Sequence, residues 1–116
     1  MRTSELAGAL GLEVLQGEFG DREISGGYTS DLLSDVMANA KDGVVLVTIQ
    51  AHKNTVAVAS LVGLAAVLVC NGREAPQDML EAARAEGIAV LRSASTQFEV
   101  SGRLYAALAA QAPAGA

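Results

Sequence analysis

The sequence predicts an α/β domain, a mainly parallel sheet with helices on its faces. Three observations carry that reading. From residue 43 onward, apolar runs alternate with helix-patterned segments in the order β-α-β-α-β-α. The short connections between them require right-handed crossovers and therefore parallel strands. The strongest run, Val44-Val45-Leu46-Val47-Thr48-Ile49, is β-branched and apolar on both faces, as expected of a strand covered on both sides. A length of 116 residues suits one compact core and is too short for two.

The elements follow in order. Thr3–Leu10 reads as a helix, with Leu6 and Leu10 one turn apart and Gly11 as a natural stop. Residues 12–15 form a brief strand, and the polar stretch 16–22 turns. Residues 23–28 are weakly strand-like and broken by Gly26-Gly27, for which a turn or bulge needing positive φ is the simplest use. Thr29 or Ser30 is then expected to cap a helix, with Asp31 at its positive end. Leu32, Leu33, Val36, Met37 and Ala40 recur at the spacing of one buried helical face.

Lys41-Asp42-Gly43 closes that helix, and the strand at 44–49 follows. After a polar break at 50–54, residues 55–62 read as a short Ala-rich helix, and Gly63 separates it from a second apolar strand at 65–69. Asn71-Gly72-Arg73-Glu74 is a turn, and Pro76 suits the first position of the next helix. Met79, Leu80 and Ala83 mark that helix, which Gly87 stops before a strand at 88–91. Thr96 and Glu99 match a capping box and open a last helix, with Phe98, Leu104, Tyr105 and Leu108 expected inside. A single domain is expected over residues 1–110, with 111–116, which contain Pro113 and Gly115, as a disordered tail.

Composition narrows the function classes. Hydrophobic residues make up 51% and aromatic residues 3%, so the core is aliphatic. Eight Lys and Arg against 13 Asp and Glu give a net charge of −5, which argues against nucleic acid and anionic membrane as partners. The longest apolar stretch, 56–70, is interrupted by Ser60 and Gly63 and falls short of the roughly 20 residues that cross a bilayer. No basic-then-apolar leader opens the chain, and Cys70 is the lone cysteine, so a cytoplasmic address without disulfides is expected. One histidine and one cysteine do not assemble a zinc site within one chain, and neither G-x-x-x-x-G-K-[ST] nor G-x-G-x-x-G occurs. No metal and no cofactor are expected.

Ligands of open parallel sheets collect at the carboxyl ends of the strands. The candidate ligand-binding residues are therefore Gly27, Tyr28, Thr29 and Ser30 before the second helix, His52 and Asn54 after the strand at 44–49, and Cys70, Asn71 and Gly72 after the next. No catalytic residue is assigned. A Cys70–His52 nucleophile and base is the weaker alternative to a buried, inert thiol and a hydrogen-bonded loop histidine. Asp31 and Asp35, one turn apart, read more simply as capping and surface charge than as paired carboxylates.

Three segments carry a family resemblance. They are Tyr28-Thr29-Ser30-Asp31-Leu32-Leu33-Ser34-Asp35-Val36-Met37-Ala38-Asn39-Ala40, Val47-Thr48-Ile49-Gln50-Ala51-His52-Lys53-Asn54-Thr55-Val56-Ala57-Val58-Ala59, and Ser101-Gly102-Arg103-Leu104-Tyr105. They resemble small stand-alone DRTGG-domain proteins, which are similar to the N-terminal domain of HPr kinase/phosphorylase, and the match spans most of the chain, ending at Leu108. The resemblance implies an HPr-kinase N-terminal-domain-like α/β fold without catalysis of its own, found beside nucleotide-sensing, acyltransferase or amidotransferase-like modules. The Asp-Arg and Gly-Gly pairs that name the family fall on His52-Lys53-Asn54-Thr55 and Cys70-Asn71-Gly72, where the acidic residue is replaced and one glycine is Asn71. Kinase chemistry is not implied, because no phosphate-binding loop is present.

The expected function is a non-catalytic regulatory or scaffold domain that self-associates, most simply as a dimer, and senses a small ligand at the strand-end loops. Self-association is expected because so short and aliphatic a domain does not readily cover its own sheet. The alternative is a nucleotide- or anion-binding sensor acting on a separate metabolic enzyme or regulatory module. A Cys/His enzyme ranks last.

Overall fold

The β-branched run at 44–48 sits at the heart of a five-stranded sheet in the structure, a computed structural model that describes residues 1–111. In chain order the elements are α1 (Thr3–Leu10), β1 (Glu13–Gln16), β2 (Gly26–Thr29), α2 (Leu33–Asn39), β3 (Val44–Thr48), α3 (Lys53–Val62), β4 (Ala66–Val69), α4 (Gln77–Glu86), β5 (Ala89–Arg92) and α5 (Gln97–Ala110). The sheet order is β1-β5-β4-β3-β2. Strands β2 to β5 are parallel, and β1 pairs with β5 antiparallel. The expected α/β fold with a mostly parallel sheet is the observed one.

Alternate residues of the central strands feed two apolar layers. Val45, Val47, Leu68 and Leu91 pack with Leu6, Val100 and Leu104, so α1 and α5 cover one face. Val44, Leu46, Val67 and Val90 pack with Val36, Val56, Met79 and Ala83, so α2, α3 and α4 cover the other. Burial on both faces is why β3 and β4 show no polar alternation in sequence. Each fully buried Leu or Val contributes about 1.5–3 kcal/mol, which lets strands of four or five residues hold.

Several local expectations are corrected. Gly26 and Gly27 form no turn: both lie within β2, and neither has a positive φ. Gly27 is instead favoured by close packing, since a Cβ there would sit 2.8 Å from Leu104 Cδ2 and push that side chain aside. Thr29 is likewise part of β2 and caps nothing. Helix α2 starts at Leu33 after Leu32, without a side-chain cap, while Ser30 Oγ accepts from Leu32 N in a turn (3.2 Å). In so short a helix only Val36 is fully buried, and Leu32 and Met37 are exposed.

Helix α3 begins at Lys53 because His52 caps it, and Pro76 precedes the first turn of α4 instead of joining it. The capping box of Thr96 and Glu99 forms as expected. Its helix, however, turns Val100 and Leu104 inward and leaves Phe98 and Tyr105 in solvent. The buried stripe of α5 is thus set by the i,i+4 pair of smaller residues, and Leu108 is half-buried. Gln111 ends α5, and the rest of the expected tail, 112–116, lies outside the described residues. Among those described, no helix is long and apolar enough to cross a membrane.

Candidate functional site

Parallel pairing brings the loops after β2, β3, β4 and β5 to one edge of the sheet. Asp31 ties three elements together there. Its Oδ1 accepts from Ile49 N (3.1 Å) and Thr48 Oγ1 (3.4 Å), and its Oδ2 accepts from Gln97 Nε2 (3.2 Å). Asp31 therefore joins the β2 and β3 loops to the start of α5 and does not serve a helix end. Asp35 has other partners, Tyr28 Oη (2.8 Å) and Asn39 Nδ2 (2.9 Å). The Tyr28 hydroxyl holds the Asp35 carboxyl below its ordinary range, and the same bond raises the phenol. The two carboxylates serve separate networks and form no acid–base pair.

After β4 the chain reverses through Cys70-Asn71-Gly72-Arg73, with Arg73 N donating to Cys70 O (3.3 Å). Asn71 and Gly72 have φ of 60° and 62°, two successive left-handed residues as in a type I′ turn. Asn71 N and Gly72 N donate to Ser95 O (2.9 Å) and Ser93 O (2.8 Å), which laces the β4 loop to the β5 loop. Cys70 is fully buried, and burial pushes its thiol up to about 11. A nucleophilic cysteine needs the opposite, an accessible thiol with a lowered pKa. His52 is exposed, and its Nδ1 accepts from Asn54 N (3.0 Å), a capping role that requires an unprotonated Nδ1.

A cavity lies to one side of these loops. A groove of about 650 Å³ runs between β2 and α5, within the range usual for small-molecule sites. Gly26 and Gly27 border it without side chains, Leu104 and Leu108 supply apolar wall, and Tyr105 stands beside them. At the carboxyl end of β2, Thr29 Oγ1 and Ser101 Oγ share a hydrogen bond of 2.6 Å. The charged groups of the lining are Glu23 and the Met1 amine, paired at 2.9 Å.

Of the residues expected from sequence, Gly27 and Thr29 line this groove. Tyr28 faces the opposite side of the sheet, among the α2–α4 layer, and Ser30 is taken up by its turn. His52 and Asn54, at the N-cap and in the first turn of α3, and Asn71 and Gly72, in the turn after β4, occupy the carboxyl edge at two separate places, and Cys70 belongs to the core. Sequence reasoning missed Ser101, Leu104, Tyr105 and Leu108 as groove residues. The inward assignment of Tyr105 hid them. Taking Val100 and Leu104 as the buried pair places Ser101 and Tyr105 on the flank of α5.

No protein-family model matches the chain, and no curated protein matches its sequence. The fold is similar to a solved structure of the CBS and DRTGG domains of the regulatory region of Clostridium perfringens pyrophosphatase, complexed with its activator diadenosine tetraphosphate. The TM-score is 0.68 at 12% sequence identity, over 88% of this chain and 45% of that one. The present chain thus spans less than half of that regulatory region, and what the two share is the fold.

Proposed function

We propose that this chain is a non-catalytic, DRTGG-like regulatory domain that associates with itself and responds to a small ligand held between β2 and α5. The groove carries the reading, because it unites two residues expected at the site, Gly27 and Thr29, with Ser101 and Tyr105 in one cavity. A fold shared with a pyrophosphatase regulatory region supports it. The chemistry of Cys70 and His52 argues against an enzyme built on them, since the thiol is buried and raised and the imidazole caps a helix.

The lining also selects a ligand class. Hydroxyls of Ser25, Thr29 and Ser101 beside apolar Leu104 and Leu108 suit an uncharged molecule with a ring and hydroxyl groups, such as a nucleoside. Among the described residues, no arginine or lysine lines the groove to neutralise a polyphosphate. A second reading, a nucleotide or anion at the strand-end loops, draws on Lys53 and Arg73. Both stand at that edge beside the starts of α3 and α4 and make no ion pair among the described residues.

Thermal unfolding with adenosine, inorganic tripolyphosphate and diadenosine tetraphosphate separates the two. A ligand at 100 times its Kd adds about 2.7 kcal/mol, or roughly 10 °C or more in Tm for a domain of this size. The groove reading expects adenosine to stabilise and tripolyphosphate to do nothing. Stabilisation by tripolyphosphate alone supports the strand-end loops, and no response to any of the three overturns ligand sensing of this class.

A further inference from the structure

We infer that a second copy of this chain docks on the outward apolar stripe of α5, beside the open edge of β2, to form a two-fold dimer. This rests on the self-association in the function proposed above and names its surface. Phe98 is 88% exposed and Tyr105 is 78% exposed, so two of the chain's four aromatic residues stand in water. Seven residues apart on a helix, they lie within about 20° of each other. Gly102 and Ala109 fall on the same stripe. Glu99 and Arg103 occupy the other side of the outward face and approach within 4.0 Å of each other. The apolar stripe therefore borders the groove, and β2 is the last strand of the sheet on that side.

The stripe is self-complementary. An antiparallel second α5, related by a two-fold axis near Ser101 and Gly102, sets Phe98 on Tyr105 of the partner subunit and Tyr105 on Phe98 of the partner subunit. Isologous interfaces require this reciprocal pairing. Small residues at the crossing let the helices approach, and a Cβ at Gly102 would meet nothing within 4 Å of its own chain. The stripe supplies a substantial part of the area needed. A standard interface takes ~800 Å² per partner, about a seventh of the 5881 Å² surface. Aromatic side chains bury ~150–250 Å² each, so Phe98 and Tyr105 cover a third or more of that need, with Ala109, Leu108 and the β2 edge adjoining them.

Sedimentation equilibrium on the wild type, on Phe98→Glu/Tyr105→Glu and on Leu61→Glu tests the assignment. Leu61 is 73% exposed on α3, across the sheet. The expected result is a dimeric wild type, a monomeric double variant with unchanged circular dichroism, and a dimeric Leu61→Glu. A wild type that stays monomeric at about 100 μM, where association by mass action should be evident, overturns self-association and its surface together. A dimeric wild type whose folded double variant remains dimeric overturns the surface alone. Should the double variant misfold, Gly102→Cys decides: oxidation is expected to give a covalent dimer, whereas Leu61→Cys forms no covalent cross-link, with Cys70 buried and silent. No cross-link at Gly102→Cys overturns the surface.

Discussion

Gly27 is the position where sequence and packing can be set against each other by a single methyl group. In Gly27→Ala the new Cβ sits 2.8 Å from Leu104 Cδ2, 3.7 Å from Leu104 Cγ and 3.9 Å from the Val45 carbonyl oxygen. Leu104 is 2% exposed and must move, and overpacking of this kind costs about 1–3 kcal/mol. Because φ at Gly27 is not positive, alanine also brings a gain of about 0.4–1 kcal/mol by restricting the unfolded chain. The net expectation is a loss of about 1 kcal/mol, or roughly 4–8 °C in Tm. Leu104→Ala on its own should cost about 2–5 kcal/mol. In that background the clash is gone, so adding Gly27→Ala should be neutral or stabilising by about 0.5 kcal/mol. Urea unfolding of the four proteins reads the cycle, and the expected coupling is about 1.5 kcal/mol, within the range for touching residues. Equal effects of Gly27→Ala in both backgrounds would refute the packing explanation for the glycine.

Other consequences are independent of the groove. Cys70, raised to about 11 and buried, should resist iodoacetamide at pH 8 in the folded protein and react in urea; rapid native labelling, followed by mass spectrometry, contradicts its core role. Asp21 accepts from Ser4 N and Arg2 Nε at the start of α1 (2.9 Å each), and its carboxyl is lowered from 3.8 to about 2, chiefly by the Ser4 amide and then by Arg2. A depressed acid stabilises the fold above its unfolded pKa and loses that contribution as pH falls through the folded value. Thermal melts from pH 4 to pH 2 should therefore fall less steeply for Asp21→Asn than for the wild type, and equal slopes would count against the cap. Asp31→Ala, which frees Ile49 N and Gln97 Nε2, should cost about 1–2 kcal/mol in urea denaturation, whereas an unchanged midpoint would deny Asp31 its linking role.

The architecture was legible because periodicity reports burial on two faces. Val44 to Thr48 and Ala66 to Val69 are buried along their whole length, and no other arrangement hides such runs as economically as a covered parallel sheet. The antiparallel β1 was less legible, since a four-residue edge strand with two exposed positions carries too little pattern to declare its direction. Gly26-Gly27 misled because glycine in a sequence signals backbone freedom, whereas here Gly27 answers to Leu104, 77 positions further on. Phe98 and Tyr105 misled for a related reason. Large apolar side chains are expected inside, yet the i,i+4 pair Val100 and Leu104 faces the sheet and leaves the aromatics to solvent. The candidate site was legible only in part, because a groove depends on how α5 lies across β2, a tertiary fact that loop composition does not encode. Asp31 shows the same limit, since its partners Ile49 and Gln97 come from two other segments of the chain.

An amide NMR titration of the ¹⁵N-labelled protein with adenosine tests the central claim most directly. The account predicts saturable shifts at Gly26, Gly27 and Thr29 and at Ser101, Leu104 and Tyr105, with His52, Asn54, Asn71 and Gly72 unmoved. Shifts confined to those four strand-end residues, or a spectrum unchanged at millimolar adenosine, would contradict it.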